Sequence, residues 1–356
     1  MAAWARAVRG LLLDISGVLY DSGGEGGGVP IAGSAEAVRR IKASGLKLQF
    51  CTNETQATRE KFVKKLQGLG FDISVAEVTA PAPAACRLLK ERGLRPHLLV
   101  HDDLVPEFAD IDKTNPNCVV IGDAAENFSY ANLNEAFRVL IGLEKPVLIS
   151  LGKGRYYKET DGLKLDVGAY MKALEYACDV EAEVVGKPAK AFFESALAEM
   201  GVPPEQAIMI GDDIVSDVGG AQQCGMRAVQ VRTGKYSYSY CFHSHLHSEC
   251  HLRKLKRRMC QFCPFSFRSL PTCFNSCQHT CETFALLHSL LSHGKLGCTT
   301  CAAVALRVVM FLKNEGIHPT VFLSDRANTL YELVTLITFA MGSGHFQHHS
   351  SHTTAG

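Results

Sequence analysis

Residues 11–16, LLLDIS, place three leucines directly before Asp14 and a serine two positions after it. A short apolar run that ends in polar residues is typical of a buried strand in a parallel sheet. Comparable runs alternate with helical patterns up to residue 235, which predicts an α/β fold with a doubly wound, mostly parallel sheet. The expected strands are residues 11–16, 46–52, 98–100, 118–121, 147–151, 184–185, 207–210 and 227–231. The expected helices are residues 34–43, 55–69, 131–143, 169–177, 190–200 and 217–224.

The composition is that of an ordinary globular protein. The chain has 356 residues, of which 47% are hydrophobic and 21% charged, and its net charge is +1. So small a net charge favours neither a nucleic-acid partner nor a membrane partner. Asp14 interrupts the N-terminal apolar run too early for a secretory signal, and no apolar stretch reaches the ~18 residues of a membrane span. We therefore expect a cytoplasmic protein. The basic run at residues 252–258 is either a nuclear localisation patch or a solvated surface.

The sequence changes character after Lys235. The last 121 residues hold nine of the 14 cysteines, twelve of the 14 histidines and only five of the 36 acidic residues. We expect residues 1–80 and 183–235 to form an α/β core and residues 81–182 to form an inserted α/β domain. Residues 236–356 are expected to be a Cys/His-rich tail with little regular structure.

Polar residues stand where three of the expected core strands end. Asp14 follows the first strand, Thr52 and Asn53 follow the second, and Asp212 and Asp213 follow a third. Ligands of open α/β sheets bind outside the carboxyl ends of the strands, so these side chains are expected to converge. Carboxylates this close raise one another's pKa unless a cation neutralises them, and Mg²⁺ accepts carboxylate and phosphate oxygens as ligands.

Two further charged residues extend this pattern. Asp217 lies one helical turn after Asp213, and Lys187 lies in a turn before an expected helix. Carboxylates, a metal and cationic or amide donors together predict phosphoryl transfer, with one aspartate as the nucleophile. Taken singly, the same residues are consistent with helix caps, strand ends and turns, so the prediction depends on their combination.

Four segments resemble the motifs of the haloacid dehalogenase superfamily of phosphatases. They are DISGVLYD (14–21), FCTNE (50–54), VVGKP (184–188) and MIGDDIVSD (209–217). The insertion between the second and third motifs resembles the C2-type cap of that superfamily. The resemblance runs from about residue 9 to residue 235 and implies an enzyme: a Mg²⁺-dependent hydrolase of phosphate-containing small molecules that forms a homodimer through its cap.

The resemblance also implies a role for each motif residue. Asp14 would be the nucleophile that forms an aspartyl-phosphate and also a Mg²⁺ ligand. Ser16 would offer its backbone carbonyl to the metal, and Asp212 would be the third protein ligand.

The remaining motif residues would support the phosphate and the metal. Thr52 and Asn53 would hold phosphate oxygens, and Lys187 would neutralise the phosphoaspartate. Asp213 and Asp217 would orient metal-bound water and the lysine.

Ser16 departs from the family pattern, because most members carry a second aspartate there that protonates the leaving oxygen and then activates water. A serine has no useful acidity near neutral pH. We hypothesise that the site favours the P–N bonds of phosphohistidine and phospholysine and the P–O–P bond of pyrophosphate. These bonds have better leaving groups than alkyl esters, so their cleavage depends less on a general acid. The alternatives are a neutral role for Ser16, a capped phosphatase of a small phosphate ester, and a catalytically inactive variant with a binding role.

Two other segments bear on the site. The glycine-rich residues 23–28 lack the Lys-Ser or Lys-Thr pair of a phosphate-binding P-loop and are expected to form a flexible hairpin or flap. The basic and aromatic residues 152–158 either face the site or form a solvated loop of the cap. His97 and His101 are expected to be structural or exposed.

The tail admits several interpretations. Its two CxxC pairs and irregular histidines match no closed zinc site, and a secreted disulfide framework does not suit the rest of the chain. The interpretation we favour is an alternative C-terminus that replaces an edge strand and a helix of the core.

Overall fold

The computed structural model describes residues 7–24 and 27–235, together with the backbone of a strand at Thr320–Phe322. The strands are β1 (Gly10–Leu13), β2 (Tyr20–Ser22), β3 (Gly28–Pro30), β4 (Lys47–Cys51), β5 (Val78–Thr79), β6 (Pro96–Leu99), β7 (Cys118–Ile121), β8 (Leu148–Ser150), β9 (Tyr156–Glu159), β10 (Gly162–Leu165), β11 (Glu183–Val184), β12 (Ala207–Gly211), β13 (Arg227–Gln230) and β14 (Thr320–Phe322). The α-helices are α1 (Ser34–Ala43), α2 (Arg59–Gly68), α3 (Pro81–Arg92), α4 (Tyr130–Ile141), α5 (Val167–Cys178), α6 (Lys190–Met200) and α7 (Gly220–Gln223). Short 3₁₀ helices cover Val75–Glu77, Asp102–Phe108, Ala125–Asn127 and Pro204–Gln206, and a π-helix covers Ile214–Gly219.

The core is a parallel sheet in the order β14-β13-β12-β1-β4-β5. The first strand lies inside the sheet, with Leu11 opposite Ile208 on one side and Leu48 on the other. Leu11 and Leu13 pack towards α1 and α2, whereas Leu12 packs towards α6 and α7. Helices cover both faces of the sheet. This is required because β1 has no polar side chain on either face. The predicted doubly wound α/β fold is confirmed.

The inserted segment forms a second parallel sheet in the order β11-β8-β7-β6. Helix α3 packs on one face of this sheet and helices α4 and α5 pack on the other. The strand Glu183–Val184, which the sequence placed in the core, pairs with β8 of this second sheet. Val185 N–H also donates to Ser150 O at 2.9 Å, so the backbone of this stretch is satisfied by the inserted domain.

A third sheet joins the core to the insertion, in the order β10-β9-β2-β3. The glycine-rich segment supplies the turn of the β2–β3 hairpin, as predicted. This hairpin pairs with β9 through Ser22 and Glu159, and Thr160 N–H donates to Ser22 O at 2.9 Å. The hairpin therefore lies beside the inserted domain and bridges it to the core.

Several helix boundaries differ from the sequence predictions. The helix expected to begin at residue 55 begins at Arg59, because the Thr58 hydroxyl caps it by accepting a hydrogen bond from Lys61 N at 3.3 Å. Residues 217–224 form the end of a π-helix and then α7 rather than one α-helix. Helix α3, which the sequence analysis missed, begins at Pro81 in the first-turn position that proline tolerates.

The tail contributes an edge strand to the core sheet. The backbone of Thr320–Phe322 pairs in parallel with Ala228–Gln230 of β13. These three residues are the only part of the tail that the structure describes, and the prediction of little regular structure after Lys235 otherwise stays a prediction. The Cys/His sets and the basic run at residues 252–258 lie outside the described residues. Among the described residues, no helix is both long enough and apolar enough to cross a membrane.

Candidate active site

The carboxyl ends of β1, β4 and β12 meet at one edge of the core sheet, in a cleft of about 220 Å³ that the inserted domain covers. Asp14, Thr52 and Asp212 follow these strands directly and are all buried. The convergence expected from the sequence is therefore observed. The cleft is lined by all eight predicted residues: Asp14, Ser16, Thr52, Asn53, Lys187, Asp212, Asp213 and Asp217.

Lys187 joins two of the carboxylates. Its Nζ donates to Asp14 Oδ1 and to Asp217 Oδ1, each at 2.7 Å, and its side chain is almost fully buried. Burial disfavours the ammonium form, but the two carboxylates outweigh that effect and raise the pKa of Lys187 above its usual value. The lysine is therefore a fixed positive charge in the cleft.

Asn53 fixes the backbone of Lys187. The Lys187 N–H donates to Asn53 Oδ1 at 2.8 Å, and Asn53 Nδ2 donates to Lys187 O at 3.0 Å. This reciprocal pair positions the lysine, a role that the sequence analysis did not assign. The neighbouring Thr52 Oγ1 accepts a hydrogen bond from Glu54 N at 3.0 Å, so its hydroxyl hydrogen can be donated to a ligand in the cleft.

Three carboxylates form a cluster that suits a divalent cation. One carboxylate oxygen from each of Asp14, Asp212 and Asp217 lies within 4.8 Å of the other two. Burial raises the pKa of Asp217 to about 7, and the nearby Asp14 adds to this effect against the opposing charge of Lys187. Burial likewise raises the pKa of Asp212, and the charges of Asp14 and Asp217 add to it against Lys235.

Asp212 offers an oxygen atom that the protein does not use. Its Oδ2 accepts a hydrogen bond from Lys235 N at 2.8 Å, whereas its buried Oδ1 has no hydrogen-bond partner among the described residues. Buried polar atoms are almost always paired, so this oxygen indicates a ligand position. Oxygen donors of this kind fit Mg²⁺.

Two glycines allow the loops around Asp212 to approach it. Gly17 and Gly234 both have positive φ angles, +79° and +63°. A Cβ at either position would collide with Asp212 Oδ2. The loop after β1 and the loop after β13 therefore close around this carboxylate because neither carries a side chain there.

Ser16 is tied to a buried tyrosine. The two residues form a backbone β-bridge, and the phenol of Tyr20 is buried. Lys65 Nζ donates to the same phenol at 3.4 Å. Burial, helped by the charge of Glu54, raises the pKa of Tyr20 above its usual value, so the phenol stays protonated. Neither the hydroxyl of Ser16 nor that phenol is an effective acid near neutral pH.

Lys235 is a site residue that the sequence analysis missed. Its Nζ lies 2.8 Å from Asp213 Oδ2 and, against the effect of burial, lowers the pKa of that carboxyl to about 2. Asp213 also caps the π-helix by accepting from Val215 N at 2.8 Å and Ser216 N at 3.0 Å. Lys235 follows strand β13 closely, so the strand-tip rule that found the other residues could have found it.

The inserted domain supplies a second wall of the cleft. Asp123 follows β7, and its Oδ2 accepts from Gln56 Nε2 at 2.8 Å, while Gln56 Nε2 also reaches Tyr157 OH at 3.2 Å. Within residues 152–158, the cleft is lined by Gly154, Tyr157 and Lys158. The alternative in which this segment faces the site is therefore the one observed.

The two isolated histidines lie away from the cleft. His101 Nδ1 accepts a hydrogen bond from Asp103 N at 3.1 Å and caps the Asp102–Phe108 helix. His97 is half-buried on β6, and burial lowers its pKa. Their predicted structural role agrees with these positions.

Comparison with known sequences places the chain in a family. A family model for haloacid dehalogenase-like hydrolases matches residues 11–114, and a related HAD-hydrolase-like model matches residues 184–249. Phospholysine phosphohistidine inorganic pyrophosphate phosphatase of Xenopus laevis is 74% identical over 236 residues, which cover 66% of this chain and 87% of the relative. The human protein of the same name is 70% identical over 239 residues, covering 66% of this chain and 88% of the relative.

Solved structures share the fold at low sequence identity. The 4-nitrophenylphosphatase of Thermotoga maritima has a TM-score of 0.61 at 23% identity and covers 68% of this chain and 93% of its own. The glycerol phosphate phosphatase of Mycobacterium tuberculosis, solved with magnesium, has a TM-score of 0.59 at 22% identity and covers 69% of this chain and 74% of its own. The chain belongs to the haloacid dehalogenase-like hydrolase family, as its four motifs predicted, and is a phosphatase of that family.

Proposed function

We propose that the chain is a Mg²⁺-dependent phosphatase that hydrolyses phosphohistidine, phospholysine and inorganic pyrophosphate through an aspartyl-phosphate on Asp14. The observation that carries the proposal is the setting of this carboxylate. Its Oδ1 accepts from Ile15 N at 2.8 Å and from Lys187 Nζ at 2.7 Å, while Oδ2 receives no hydrogen bond from any described residue. One oxygen is thus held and the other is available for attack on phosphorus. The substrates are those that the names of the 70–74% identical relatives state.

Each residue around Asp14 has a separate role in the proposed reaction. Lys187 orients the nucleophile and supplies positive charge where the phosphoryl group binds, which is the main electrostatic contribution that a phosphoryl-transfer site makes. The Thr52 hydroxyl can donate to a phosphate oxygen. Mg²⁺, held by Asp14, Asp212 and the carbonyl of Ser16, would neutralise charge on the phosphoryl oxygens. Asp213 and Asp217 would keep that metal and the lysine in place.

The absence of an acid at position 16 supports the choice of substrates. Position 16 lines the cleft with a hydroxyl rather than a carboxyl, so it provides no carboxyl proton. An alkoxide leaving from a simple ester needs that proton, whereas the phosphate that leaves from pyrophosphate does not. Poor turnover of alkyl esters is therefore part of the proposal.

The direct test measures phosphate release from pyrophosphate in Mg²⁺ by the full chain and by Asp14→Asn. We expect release by the wild type and a loss of at least ~10³-fold in the variant. Asp161→Asn is the matched control, since Asp161 is an exposed aspartate on the β9–β10 hairpin, paired with Lys164. No release by the wild type from pyrophosphate or phospholysine would overturn the proposal in favour of an inactive binding protein. Release from a small alkyl ester alone would favour the ester phosphatase.

We also propose that the cap forms a homodimer. Tyr130 of α4 and Tyr176 of α5 have 86% and 93% of their surface exposed, which is unusual for tyrosines of helices that pack against each other. Light scattering on the full chain and on Tyr176→Glu tests the proposal. A dimeric wild type and a monomeric variant would support it, and a monomeric wild type would contradict it.

A further inference from the structure

The cleft contains a carboxyl group for which the family-derived roles have no use. Glu54 lines the same cleft as Asp14 and Ser16, on the loop that follows β4 and carries Thr52 and Asn53. Its Oε1 accepts a hydrogen bond from Gln56 N at 2.7 Å. One backbone donor therefore holds this side chain in the cleft, and no cation lies within ion-pair distance of its carboxylate among the described residues.

The surroundings of Glu54 favour a carboxyl that can carry a proton. Burial raises its pKa, and the charge of Asp123 on the cap adds to this effect, while Lys65 of α2 opposes it. Another titratable neighbour is the buried phenol of Tyr20, whose pKa Glu54 itself raises. A carboxyl with a raised pKa in a cleft is the usual form of a general acid.

Apart from the metal cluster and the Asp213–Lys235 pair, three other acids line the cleft, and all three belong to the inserted domain. Asp123 uses Oδ2 for Gln56 and Oδ1 for Ala125 N at 3.2 Å. Asp166 Oδ1 accepts from Val167 N at 2.6 Å as the cap of α5. Glu159 lies on β9 of the inserted domain, and it is the one competitor with no hydrogen bond to its carboxylate from the described part of the chain.

We propose that Glu54 is the general acid that protonates the leaving nitrogen of phosphoramidate substrates, in the place of the acid that Ser16 does not supply. This assignment rests on the proposed function. A nitrogen atom is far more basic than an ester oxygen, so it can take a proton from a carboxyl group before its bond to phosphorus breaks. Glu54 thus supplies a proton that cleavage of a P–N bond needs and that cleavage of pyrophosphate does not.

The reaction balances in two steps. An oxygen of Asp14 bonds to phosphorus while the P–N bond breaks, and its electron pair stays on nitrogen, which takes the proton of the Glu54 carboxyl. The amine or imidazole leaves, and Asp14 carries the phosphoryl group. Water then attacks phosphorus and gives a proton to the Glu54 carboxylate, while the bond between phosphorus and Asp14 breaks. Inorganic phosphate leaves, and both side chains return to their starting states.

The experiment compares two substrates that differ in one bridging group, imidodiphosphate with N–H and pyrophosphate with oxygen, in the full-length wild type and in Glu54→Gln. Phosphate leaves from pyrophosphate without a proton, whereas the nitrogen of imidodiphosphate must be protonated. We expect Glu54→Gln to lower the ratio of kcat/KM for imidodiphosphate to kcat/KM for pyrophosphate about 100-fold. For each substrate, kcat/KM reports only the steps up to formation of the aspartyl-phosphate. Hydrolysis of the aspartyl-phosphate, which is common to both substrates, therefore does not affect the ratio. Glutamine can still accept the hydrogen bond from Gln56, and retained pyrophosphate cleavage shows that the variant is folded.

The pH profile gives a second readout. The wild-type kcat/KM for imidodiphosphate should fall as the pH rises through the pKa of Glu54, and this limb should be missing in Glu54→Gln and in the pyrophosphate profile. Glu159→Gln is the matched control and should keep the wild-type ratio. If the ratio of kcat/KM values is unchanged in Glu54→Gln, or if it falls in Glu159→Gln instead, Glu54 is not the general acid. Either result would leave the proposed function intact. A wild type that cleaves neither substrate would overturn the proposed function and this assignment with it.

Discussion

Lys187 Nζ lies 2.7 Å from Asp14 Oδ1 and 2.7 Å from Asp217 Oδ1. One buried ammonium group therefore binds two carboxylates that come from the first and the last part of the core sequence. The lysine comes from the segment that follows the inserted domain, and its own backbone is fixed by Asn53. Four separate segments of the chain thereby meet at one charge. The position of the Asp14 carboxylate, the proposed nucleophile, depends on that charge.

Replacing this lysine should damage both catalysis and stability. In Lys187→Met we expect phosphate release from pyrophosphate to fall by about 10²–10³-fold, because the charge that orients Asp14 and faces the phosphoryl group is lost. Two buried carboxylates also lose their partner, which should lower the free energy of unfolding by about 3–5 kcal/mol in the absence of Mg²⁺. Denaturant unfolding measures this loss. Lys190→Met, at an exposed lysine of α6 paired with Glu194, should leave both quantities close to wild type.

Removing the unpaired carboxylate oxygen should weaken metal binding. Mg²⁺ that binds the native site should raise the melting temperature of the wild type, because ligands of the native state stabilise it. In Asp212→Asn we expect this rise to become much smaller and the Mg²⁺ concentration for half-maximal phosphate release to increase at least ~10-fold. Asp161→Asn serves as the control. An undiminished Mg²⁺ effect in Asp212→Asn would mean that the cation binds elsewhere.

Restoring an acid at position 16 should broaden the substrate range. In Ser16→Asp we expect the rate on an alkyl phosphate monoester, relative to the rate on pyrophosphate, to rise by about 10–100-fold. The added carboxyl can protonate the leaving alkoxide, which pyrophosphate does not need. Ser22→Asp is a suitable control, because Ser22 also lines the cleft but lies on β2. A ratio that stays constant in Ser16→Asp would show that Ser16 does not set the preference.

The pair formed by Lys235 and Asp213 should make stability depend on acid pH. The lysine lowers the pKa of Asp213 from its ordinary 3.8 to about 2. A carboxyl with a lowered pKa stabilises the fold above its unfolded pKa, and the contribution disappears as the pH falls from about 4 to about 2. We expect Lys235→Met to lower the free energy of unfolding by about 2 kcal/mol above pH 4 and by little near pH 2, in Mg²⁺-free buffer. A difference that is independent of pH would contradict this linkage.

The tail strand should stabilise the core. A chain that ends at residue 319 lacks β14 and exposes the edge of β13, and we expect it to unfold with a free energy lower by about 1–3 kcal/mol. The control is a chain that ends at residue 323, which keeps the Thr320–Phe322 strand. Calorimetry and denaturant unfolding of the two chains measure the difference. Equal stabilities would show that β14 contributes nothing to the core.

The sequence predicted the parts of the fold that depend on local pattern. Helix α6 lies at Lys190–Met200 and strand β7 at Cys118–Ile121, as the periodicity indicated. The predicted helix start at residue 55 was wrong, because Thr58 is the residue that caps α2. Cap choice depends on which hydroxyl the folded loop brings to the first helical turn, and several polar residues precede α2 in the sequence.

The site was predictable because strand ends are visible in a sequence. Asp14, Thr52 and Asp212 each follow an apolar run, and parallel strands bring such ends together. The partner of each group was not predictable. That Asn53 binds the backbone of Lys187 depends on the return path of the chain from the inserted domain, which no local pattern encodes.

The sequence by itself determined the family and the absence of an acid at position 16, and it indicated Asp14 as the proposed nucleophile, because short motifs carry this information in residue type and spacing. Only the tertiary structure decided that Glu54 enters the same cleft as Asp14 and Ser16. It also placed the glycine-rich hairpin against β9 of the insertion. These are contacts between segments far apart in the chain, and they are set by how the sheets pack rather than by any local pattern.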